Sequence, residues 1–289
     1  MTTIALTGST GHIGGIVARA LALDAAHRGR LVEVVERPSL RLVARELSRV
    51  PRLDGVELAR ADYADAAAVR QALAGVDVAF MVSATESADR LQAHRSFVHA
   101  AAQAGVRHLV YTSFVGAGNT AGFTLARDHG LTEQAIRESG MTFTFLRDNF
   151  YLDLLPFFAD EAGIIRGPAG EGRTAAVARA DVADAVVAIL NEPAAHENAV
   201  YELTGREALT FAELACRVSV ATGRSVTFQN EIVAEAYASR QATYPDAEQW
   251  QLDAWVSTYT AIADGELERV TGDVQALTGH QPRLLEDVL

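Results

Sequence analysis

The chain has 289 residues, of which 49% are apolar, and a net charge of −12, so it is long enough to bury one large domain or a domain with an additional lobe. Its basic residues are all arginines and are scattered singly rather than gathered in a stripe, which argues against a nucleic-acid partner. No apolar run reaches the ~18 residues that a membrane span needs, so we expect no membrane partner.

The first predicted element is a strand over residues 3–7, which begins almost at Met1. This start leaves no room for a signal peptide, and we expect a cytoplasmic protein. The single cysteine, Cys216, excludes an internal disulfide and fits a reducing compartment. We expect Cys216 to pack as a small hydrophobic side chain.

The first strand runs directly into the segment TGSTGHIGG (residues 7–15) and then into an apolar helical stripe. Gly8 permits a tight turn, Gly11 lets backbone N–H groups approach phosphate oxygens, and Gly14 lets the helix pack closely on the strand. The N-terminus of the helix adds a partial positive charge. The segment therefore predicts a cradle for a dinucleotide pyrophosphate, formed by Gly8, Ser9, Thr10, Gly11, His12, Ile13 and Gly14.

Predicted strands and helices alternate through the first half of the chain. Strands are predicted at 3–7, 56–59, 76–82, 108–112 and 142–146, and helices at 12–27, 66–74, 88–104 and 125–139. Because this alternation is typical of a parallel sheet covered on both faces, it predicts an α/β fold with a Rossmann-type doubly wound parallel sheet.

The pattern changes after Arg147. A long loop is predicted at 164–173, helices at 181–190 and 210–222, and short strands at 200–203 and 226–229. This half predicts a smaller C-terminal α+β lobe that binds the substrate. We therefore expect an NAD(P)-binding domain over residues 1–150 and a substrate-binding lobe over residues 151–289, packed closely together.

The second strand has two candidate positions, LVEVVE (31–36), ending in Glu36, and LRLVAR (40–45), ending in Arg45. The residue that ends this strand meets the adenosine ribose in a doubly wound fold. An acid there binds the free 2′-hydroxyl of NAD(H), whereas an arginine binds the 2′-phosphate of NADP(H). The spacing from Gly14 favours Glu36, and both alternatives stay open on this evidence.

Several segments together resemble the NmrA-like branch of atypical short-chain dehydrogenases, and especially its NADPH-quinone oxidoreductase-like members. They cover nearly the whole chain and read TGSTGHIGG (7–15), LVARELSRVPRLDGVELARADYAD (42–65), ALAGVD (72–77), HLVYTSFVGA (108–117), FTLARDHGLTEQAIRESGMTFTFLRDNFY (123–151) and LTGHQP (277–282). The resemblance implies that the second strand ends at Arg45, with Arg49 as a second phosphate contact. It therefore favours NADP(H) as the cofactor, with NAD(H) as the alternative. Glu46 departs from the family pattern, which has a smaller polar residue or an aspartate at this position, and its charge would oppose a 2′-phosphate.

The resemblance also implies contacts at the ends of the later strands. The residues expected beside the adenine, the adenosine ribose and the pyrophosphate are Asp62, Tyr63, Ser83 and Ala84. The residues expected around the nicotinamide and the substrate are Ser113, Phe114, Asn149 and Phe150.

The chain departs from the family at the catalytic helix. When the helix is aligned on Glu133, the position of the catalytic lysine of many relatives falls on His129, and the position of their tyrosine falls on Leu125. Both groups of the usual proton relay are thus absent, although such a relay contributes roughly 10²–10⁴-fold to ketone reduction. We expect His129 to orient the cofactor, and His129, Asn149 and Tyr151 to act in catalysis, with Tyr151 as an aromatic wall over the substrate.

Two functions follow from these features. The first is an NAD(P)H-dependent oxidoreductase that reduces a quinone or a similar conjugated carbonyl, because the delocalised anion of a hydroquinone needs no positioned donor. The alternative is a non-catalytic redox sensor that binds NAD(P) and controls a partner protein. We expect an aromatic or quinone-like small-molecule substrate and a monomer or homodimer. No metal site is predicted, because the eight histidines lack the helical spacing of zinc ligands.

Overall fold

The computed structural model describes residues 2–28 and 38–289. Within these residues the strands are β1 (Thr3–Leu6), β2 (Ser39–Ala44), β3 (Glu57–Arg60), β4 (Val78–Met81), β5 (His108–Phe114), β6 (Thr142–Asp148), β7 (Ile164–Gly167), β8 (Arg173–Thr174), β9 (Ala199–Leu203), β10 (Leu209–Thr210) and β11 (Thr227–Asn230). The helices are α1 (His12–Arg28), α2 (Ala66–Ala72), α3 (Arg90–Gln103), α4 (Thr124–Glu138), α5 (Arg179–Asn191), α6 (Phe211–Thr222), α7 (Val233–Thr243), α8 (Gln249–Ala263) and α9 (Asp273–Thr278).

Seven of the described strands form one sheet in the order β3-β2-β1-β4-β5-β6-β9. The pairs β1–β2, β2–β3, β1–β4 and β4–β5 are parallel. Because β1 lies between β2 and β4, the strand order reverses at β1 and β4. In a doubly wound sheet this reversal leaves a crevice at the carboxyl ends of the two strands, where dinucleotides bind. The predicted Rossmann-type parallel sheet is confirmed.

The chain forms two compact units, which we call unit 1 and unit 2. Unit 1 comprises Met1–Ser113, as far as the structure describes it, with Leu131–Leu146 and Val182–Tyr201. Unit 2 comprises Phe114–Gly130, Arg147–Asp181 and Glu202–Leu289. The sequence predicted a domain boundary at residue 150, and each unit contains residues from before and after that position. Among the described helices, none is both long and apolar enough to cross a membrane.

The centre of the sheet in unit 1 is buried on both faces. Every residue of β4 is buried, and so is every residue of β5. Strands of a covered parallel sheet are continuous apolar runs, which is why their sequences show no alternation. Val69 of α2, Phe97 of α3 and Ile136 of α4 pack in the same apolar cluster as alternate residues of these strands.

The position of β2 decides between the two candidates for the second strand. β2 spans Ser39–Ala44 and pairs with β1 in a register that sets Thr3 opposite Ser39 and Leu6 opposite Leu42. The strand therefore ends directly before Arg45, and the second candidate is confirmed. Glu36 and the rest of the first candidate, residues 31–36, lie outside the described residues.

Unit 2 contains small sheets that the sequence analysis did not predict. The parallel pair β7–β11 and the antiparallel pair β8–β10 include residues from the segment 164–173, which was predicted to be a loop. That prediction was wrong, because the strands are short and their partners lie far away in sequence. Cys216 of α6 is exposed rather than packed, which also corrects the expectation. The buried face of α6 carries Phe211, Leu214, Ala215 and Val218 instead.

Candidate functional site

The turn between β1 and α1 requires glycine at two positions. Gly8 has a backbone φ of +65°, and a Cβ atom there would lie 2.8 Å from the side chain of Val82. A Cβ atom on Gly14 would lie 2.4 Å from the carbonyl oxygen of Gly8. Both distances are shorter than van der Waals contact, so a side chain on Gly8 would displace Val82, and one on Gly14 would push the turn and the helix apart. The N–H of Gly11 donates to the carbonyl of Gly8 at 2.8 Å and closes the turn.

The turn also fits an anionic ligand. Ser9 is 2% exposed, and its Oγ makes no hydrogen bond with any other described residue. Thr10, Gly11 and His12 follow it at the N-terminus of α1 and are exposed. Because buried hydroxyls normally have a partner and helix N-termini attract anions, these residues fit the phosphate of a dinucleotide.

The loop after β4 is held by side chains of other elements. The N–H of Ser83 donates to Thr112 Oγ1 at 2.8 Å, and the N–H of Ala84 donates to His94 Nε2 at 2.8 Å. The carbonyl oxygen of Ala84 accepts a hydrogen bond from Arg90 Nε at 3.0 Å. All three partner side chains are buried, so the backbone of the loop is fixed at the carboxyl end of β4. The predicted contacts of Ser83 and Ala84 with the ribose and the pyrophosphate stay predictions.

His94 is neutral in this arrangement. Burial and, to a smaller extent, the positive charge of Arg90 together lower the pKa of its imidazole to about 3. Since Nε2 accepts the N–H of Ala84, the proton of the neutral ring is on Nδ1, which donates to Thr132 Oγ1 at 2.9 Å. Neither Arg90 nor His94 was predicted from the sequence. Their signal is a spacing of four residues, which places two polar side chains on one face of a helix.

Tyr63 connects the ends of β1 and β4. Its hydroxyl donates to the carbonyl of Val82 at 2.7 Å and lies 2.5 Å from Thr7 Oγ1. The same Thr7 Oγ1 accepts the N–H of Val82 at 2.9 Å. Burial raises the pKa of Tyr63, so its hydroxyl keeps its proton and its role as a donor. Asp62 is exposed, and the contacts of Asp62 and Tyr63 with adenine stay predictions.

The end of β2 presents exposed charges. Arg45 follows the strand directly, and Arg49 lies in the short turn Leu47–Arg49; both are exposed. Glu46 accepts a hydrogen bond from the hydroxyl of Ser48 at 2.7 Å. The predicted contact of Arg45 with a 2′-phosphate stays a prediction.

Ser113, at the end of β5, is tied to α4. Its hydroxyl donates to Glu133 Oε1 at 2.6 Å, and Arg137 Nη2 lies 3.3 Å from Glu133 Oε2. Ser113 is 3% exposed and Glu133 1% exposed, so this is a buried, charge-assisted contact. The sequence analysis used Glu133 only to align the helix and did not predict this bond. The approach of Ser113 to the nicotinamide stays a prediction.

Four side chains of unit 2, which we call the aromatic cluster, pack together: Phe114, Phe123, His129 and Phe150. The ring centroids are 5.0 Å apart for Phe114 and Phe123, 5.1 Å for Phe114 and Phe150, and 5.5 Å for Phe123 and Phe150. The imidazole of His129 lies 6.1 Å from the ring of Phe114, with an angle of 32° between the planes. The structure thus brings together three residues that the sequence analysis predicted for the nicotinamide region, and adds Phe123.

Leu125 takes part in the same apolar core. It is half-buried and packs against the cluster of unit 2 that contains Phe114 and Phe123. The position expected from the family resemblance to align with a phenol is therefore occupied by a hydrocarbon side chain packed against other hydrocarbon groups. It offers no proton to a substrate.

Asn149 uses its side-chain amide inside the protein. Its Oδ1 accepts hydrogen bonds from the N–H of Phe150 at 2.7 Å and from Thr174 Oγ1 at 2.9 Å. Its Nδ2 donates to the carbonyl of Leu267 at 2.9 Å, and the residue is 1% exposed. Asn149 therefore fixes the backbone that carries Phe150. Its direct action in catalysis and its contact with the nicotinamide stay predictions.

Tyr151 points away from Phe150. Residues 150–152 run beside Val177 as a short bridge, and neighbouring side chains of an extended chain lie on opposite sides. Phe150 and Leu152 pack with the apolar core of unit 2, whereas the hydroxyl of Tyr151 donates to Asp148 Oδ2 at 3.0 Å. Tyr151 does not lie on the side of the aromatic cluster, and its catalytic role stays a prediction.

Asp148 is a buried acid that the sequence analysis did not single out. It is 1% exposed, and its Oδ1 has no hydrogen-bond partner among the described residues. Burial raises the pKa of this carboxyl well above its ordinary value, although the hydrogen bond from Tyr151 lowers it. The protonated, neutral form is thus the one that this environment favours.

A doubly wound parallel sheet with a glycine turn after its first strand defines a dinucleotide-binding protein of the Rossmann type. Within this class, the chain belongs to the NmrA-like family, whose model matches residues 1–280. The family resemblance stated from the sequence motifs is confirmed.

The chain is similar to several oxidoreductases. It is 35% identical to Quinone oxidoreductase 2 of Escherichia coli (strain K12) over 247 residues, 84% of this chain and 83% of the relative. It is 33% identical to NAD(P)H azoreductase of Xenophilus azovorans over 230 residues, 78% of this chain and 76% of the relative. These activities agree with the class of enzyme predicted from the sequence.

Two solved structures extend this similarity to the fold. The NADPH-dependent quinone oxidoreductase QOR2 of Escherichia coli, complexed with NADPH, has a TM-score of 0.84 at 31% identity and covers 98% of this chain and 97% of its own. The triphenylmethane reductase of Citrobacter sp., complexed with NADP(H), has a TM-score of 0.80 at 29% identity and covers 99% of this chain and 98% of its own.

Proposed function

We propose that this protein is an NAD(P)H-dependent oxidoreductase that transfers a hydride to a quinone or another conjugated aromatic acceptor. The observation that carries the proposal is Leu125, which is half-buried and packs against the apolar core at the position that the family resemblance aligns with the phenol of a proton relay. An acceptor that needs a positioned acid would react slowly beside a hydrocarbon side chain. A quinone spreads the negative charge of its reduced form over a conjugated system, and water can supply the proton afterwards.

The aromatic cluster supports an acceptor with flat rings. Phe114 and Phe123 are buried in the apolar core of unit 2, whereas Phe150 packs against them and is half-buried. Phe150 is therefore the ring of the cluster that could meet an acceptor, and aromatic pairs favour stacked or edge-to-face contact. Three of the similar proteins are named for conjugated substrates: a quinone oxidoreductase, an azoreductase and a reductase of triphenylmethane dyes. The substrate class that fits best is therefore a quinone-like aromatic compound.

We propose NADP(H) as the preferred cofactor, with NAD(H) as the alternative. The glycine turn and Ser9 would hold the pyrophosphate, and the loop at Ser83 and Ala84 would lie beside the adenosine ribose. Arg45 would contact the 2′-phosphate of NADPH, because it is exposed directly after β2. When bound, the reduced cofactor supplies the hydride. His129 is buried against Phe114 within unit 2, and its expected role in orienting the cofactor stays a prediction.

Stopped-flow absorbance tests the proposal. The protein is mixed with NADPH and then with benzoquinone, a naphthoquinone or an unactivated ketone such as cyclohexanone. We expect rapid loss of NADPH absorbance with the quinones and none above the free-solution rate with the ketone. A panel of quinones that oxidises NADPH no faster than the same mixture without protein would overturn the proposed activity.

The same measurements separate the enzyme from the redox sensor. A sensor would bind NADPH and NADP⁺ without turnover and would retain a partner protein in a pull-down that depends on their ratio. A cytoplasmic location and a monomeric or homodimeric state, as expected from the sequence, stay predictions.

A further inference from the structure

A second arginine stands beside Arg45 at the carboxyl edge of the sheet. β2 and β3 are parallel, and their register sets Ala44 opposite Arg60. The N–H of Ala61 donates to the carbonyl of Ala44 at 3.2 Å, so the two strands end at the same level. Arg60, the last residue of β3, thus lies next to the point at which β2 ends and Arg45 begins.

The side chain of Arg60 is directed to that point. Its Nε donates to the backbone carbonyl of Arg45 at 3.1 Å. Apart from this bond, the Arg60 guanidinium forms no hydrogen bond or ion pair within the described part of the chain, and Arg60 is exposed. One edge of the guanidinium is therefore anchored, and its terminal amino groups remain free to bind a ligand.

The other charges of the two strands leave this position cationic. Arg41, toward the amino end of β2, is neutralised by Glu57 at 2.8 Å and also donates to the carbonyls of Ala72 and Ala74. At the carboxyl end the acids are Glu46, which accepts the hydroxyl of Ser48, and Asp62, which accepts the N–H of Ala64. This end of the two strands therefore has a net positive charge, since it carries three arginines (Arg45, Arg49 and Arg60) and these two carboxylates.

We infer that Arg60 joins Arg45 in binding the 2′-phosphate of NADPH and so determines the preference of this chain for NADPH over NADH. The inference rests on the proposed function only in that the protein binds a dinucleotide at the glycine turn. A phosphate dianion can bind two guanidinium groups whose residues lie side by side at the ends of adjacent strands, whereas the 2′-hydroxyl of NADH carries no charge to attract them. The anchoring bond to the Arg45 carbonyl reduces the conformational freedom that Arg60 would lose on binding.

Two adenosine fragments test the inference without nicotinamide chemistry. Adenosine 2′,5′-bisphosphate carries the 2′-phosphate and 5′-AMP does not, and isothermal titration calorimetry gives the Kd of each. We expect Arg60→Ala to weaken the bisphosphate about tenfold, the effect of one exposed charge-assisted hydrogen bond, and to leave 5′-AMP within about twofold. The salt dependence of bisphosphate binding should also become less steep.

Arg60→Gln separates binding from structural support. The glutamine Nε2 stands at the same position along the side chain as the arginine Nε and can donate to the Arg45 carbonyl, but it has no charge. We expect this variant to lose bisphosphate affinity as Arg60→Ala does. Arg107→Ala, which removes an exposed arginine at the amino end of β5, is the matched control and should bind like the wild type.

Several results would overturn the inference. If Arg60→Gln binds the bisphosphate with wild-type affinity, Arg60 only supports the strand end and does not bind the phosphate. Equal weakening of both fragments in Arg60→Ala would lead to the same conclusion. If the wild type binds neither fragment, the dinucleotide site itself is wrong. If the fragments bind as expected but no quinone is reduced, only the proposed activity fails.

Discussion

The imidazole of His94 accepts the backbone N–H of Ala84 at 2.8 Å. Only a neutral ring has a lone pair on Nε2, so protonation breaks this bond and leaves a charge in a buried position. Burial lowers the pKa of His94 from 6.5 to about 3, which means that the unfolded chain binds this proton more tightly than the folded protein. The stability that His94 contributes is complete above pH 6.5 and is lost as the pH falls from 6.5 toward 3.

We expect His94→Gln to flatten this part of the stability curve. The wild type should lose up to about 1.4 kcal/mol of unfolding free energy per pH unit through His94, whereas glutamine does not titrate. Urea unfolding followed by circular dichroism at several pH values between about 4 and 8 measures the slope. His99→Gln, at an exposed position of the same helix, is the control and should keep the wild-type slope. Equal slopes in His94→Gln and the wild type would contradict the prediction.

Asp148 should impose the opposite pH dependence. Burial raises the pKa of Asp148 well above 3.8, so the folded protein binds the proton more tightly than the unfolded chain. The wild type therefore loses stability as the pH rises from 3.8 through the folded pKa. We expect the difference in unfolding free energy between Asp148→Asn and the wild type to move in favour of the variant between about pH 4 and pH 8.

Tyr151→Phe provides a second test of the raised pKa of Asp148. It removes the hydrogen bond that lowers the pKa of the carboxyl, so the loss of stability with rising pH should extend to higher pH than in the wild type. A difference between Asp148→Asn and the wild type that stays constant with pH would show that the carboxyl does not hold a proton in the folded protein.

Replacing Asn149 should lower the free energy of unfolding more than the truncation of an exposed polar side chain does. Asn149→Ala leaves the N–H of Phe150, the hydroxyl of Thr174 and the carbonyl of Leu267 without their present partner in a buried region. We expect a loss of about 2–5 kcal/mol in unfolding free energy, measured by urea titration. Asn230→Ala, which removes an exposed amide that accepts the N–H of Gly170, should cost less than about 1 kcal/mol. A comparable loss in the two variants would refute the structural role of Asn149.

The glycine turn should tolerate no side chain at Gly14. In Gly14→Ala the new Cβ atom would lie 2.4 Å from the Gly8 carbonyl oxygen, so turn and helix must separate. We expect a loss of more than about 2 kcal/mol in stability together with a loss of NADPH binding, measured by thermal unfolding and by cofactor fluorescence. Gly272→Ala, where a Cβ atom meets nothing within 4 Å, should leave both unchanged. NADPH affinity that survives in Gly14→Ala would place the cofactor elsewhere.

The main sheet was predictable because its signals are local. β4 and β5 are continuous apolar runs, and the glycines that follow β1 mark a tight turn with a positive φ that other residues rarely adopt. The second strand was ambiguous because two neighbouring segments have similar apolar patterns, and composition alone does not say which one pairs with β1. The strand β7 was missed because it pairs with β11, some sixty residues later, and its glycine and proline neighbours resemble a loop.

The candidate site was predictable only in part. The residues at the strand ends follow from the topology, since ligands bind at the carboxyl ends of parallel strands. Their polar partners do not follow from it: Ser113 meets Glu133 across 20 residues, and Asn149 meets Leu267 across 118. Tyr151 was expected as an aromatic wall over the substrate, but it bridges Val177 in extended backbone, which directs the side chains of Phe150 and Tyr151 to opposite sides.

The attachment of Ala84 to α3 has a consequence for how this loop can evolve. Both backbone groups of Ala84 are held by side chains that belong to the first turns of that helix, so the path of the loop does not depend on which side chain position 84 itself carries. Mutations at position 84 can therefore change the side chain that the loop presents without changing its course. A graft of this loop into another protein would keep its shape only if Arg90 and His94 were transplanted with it.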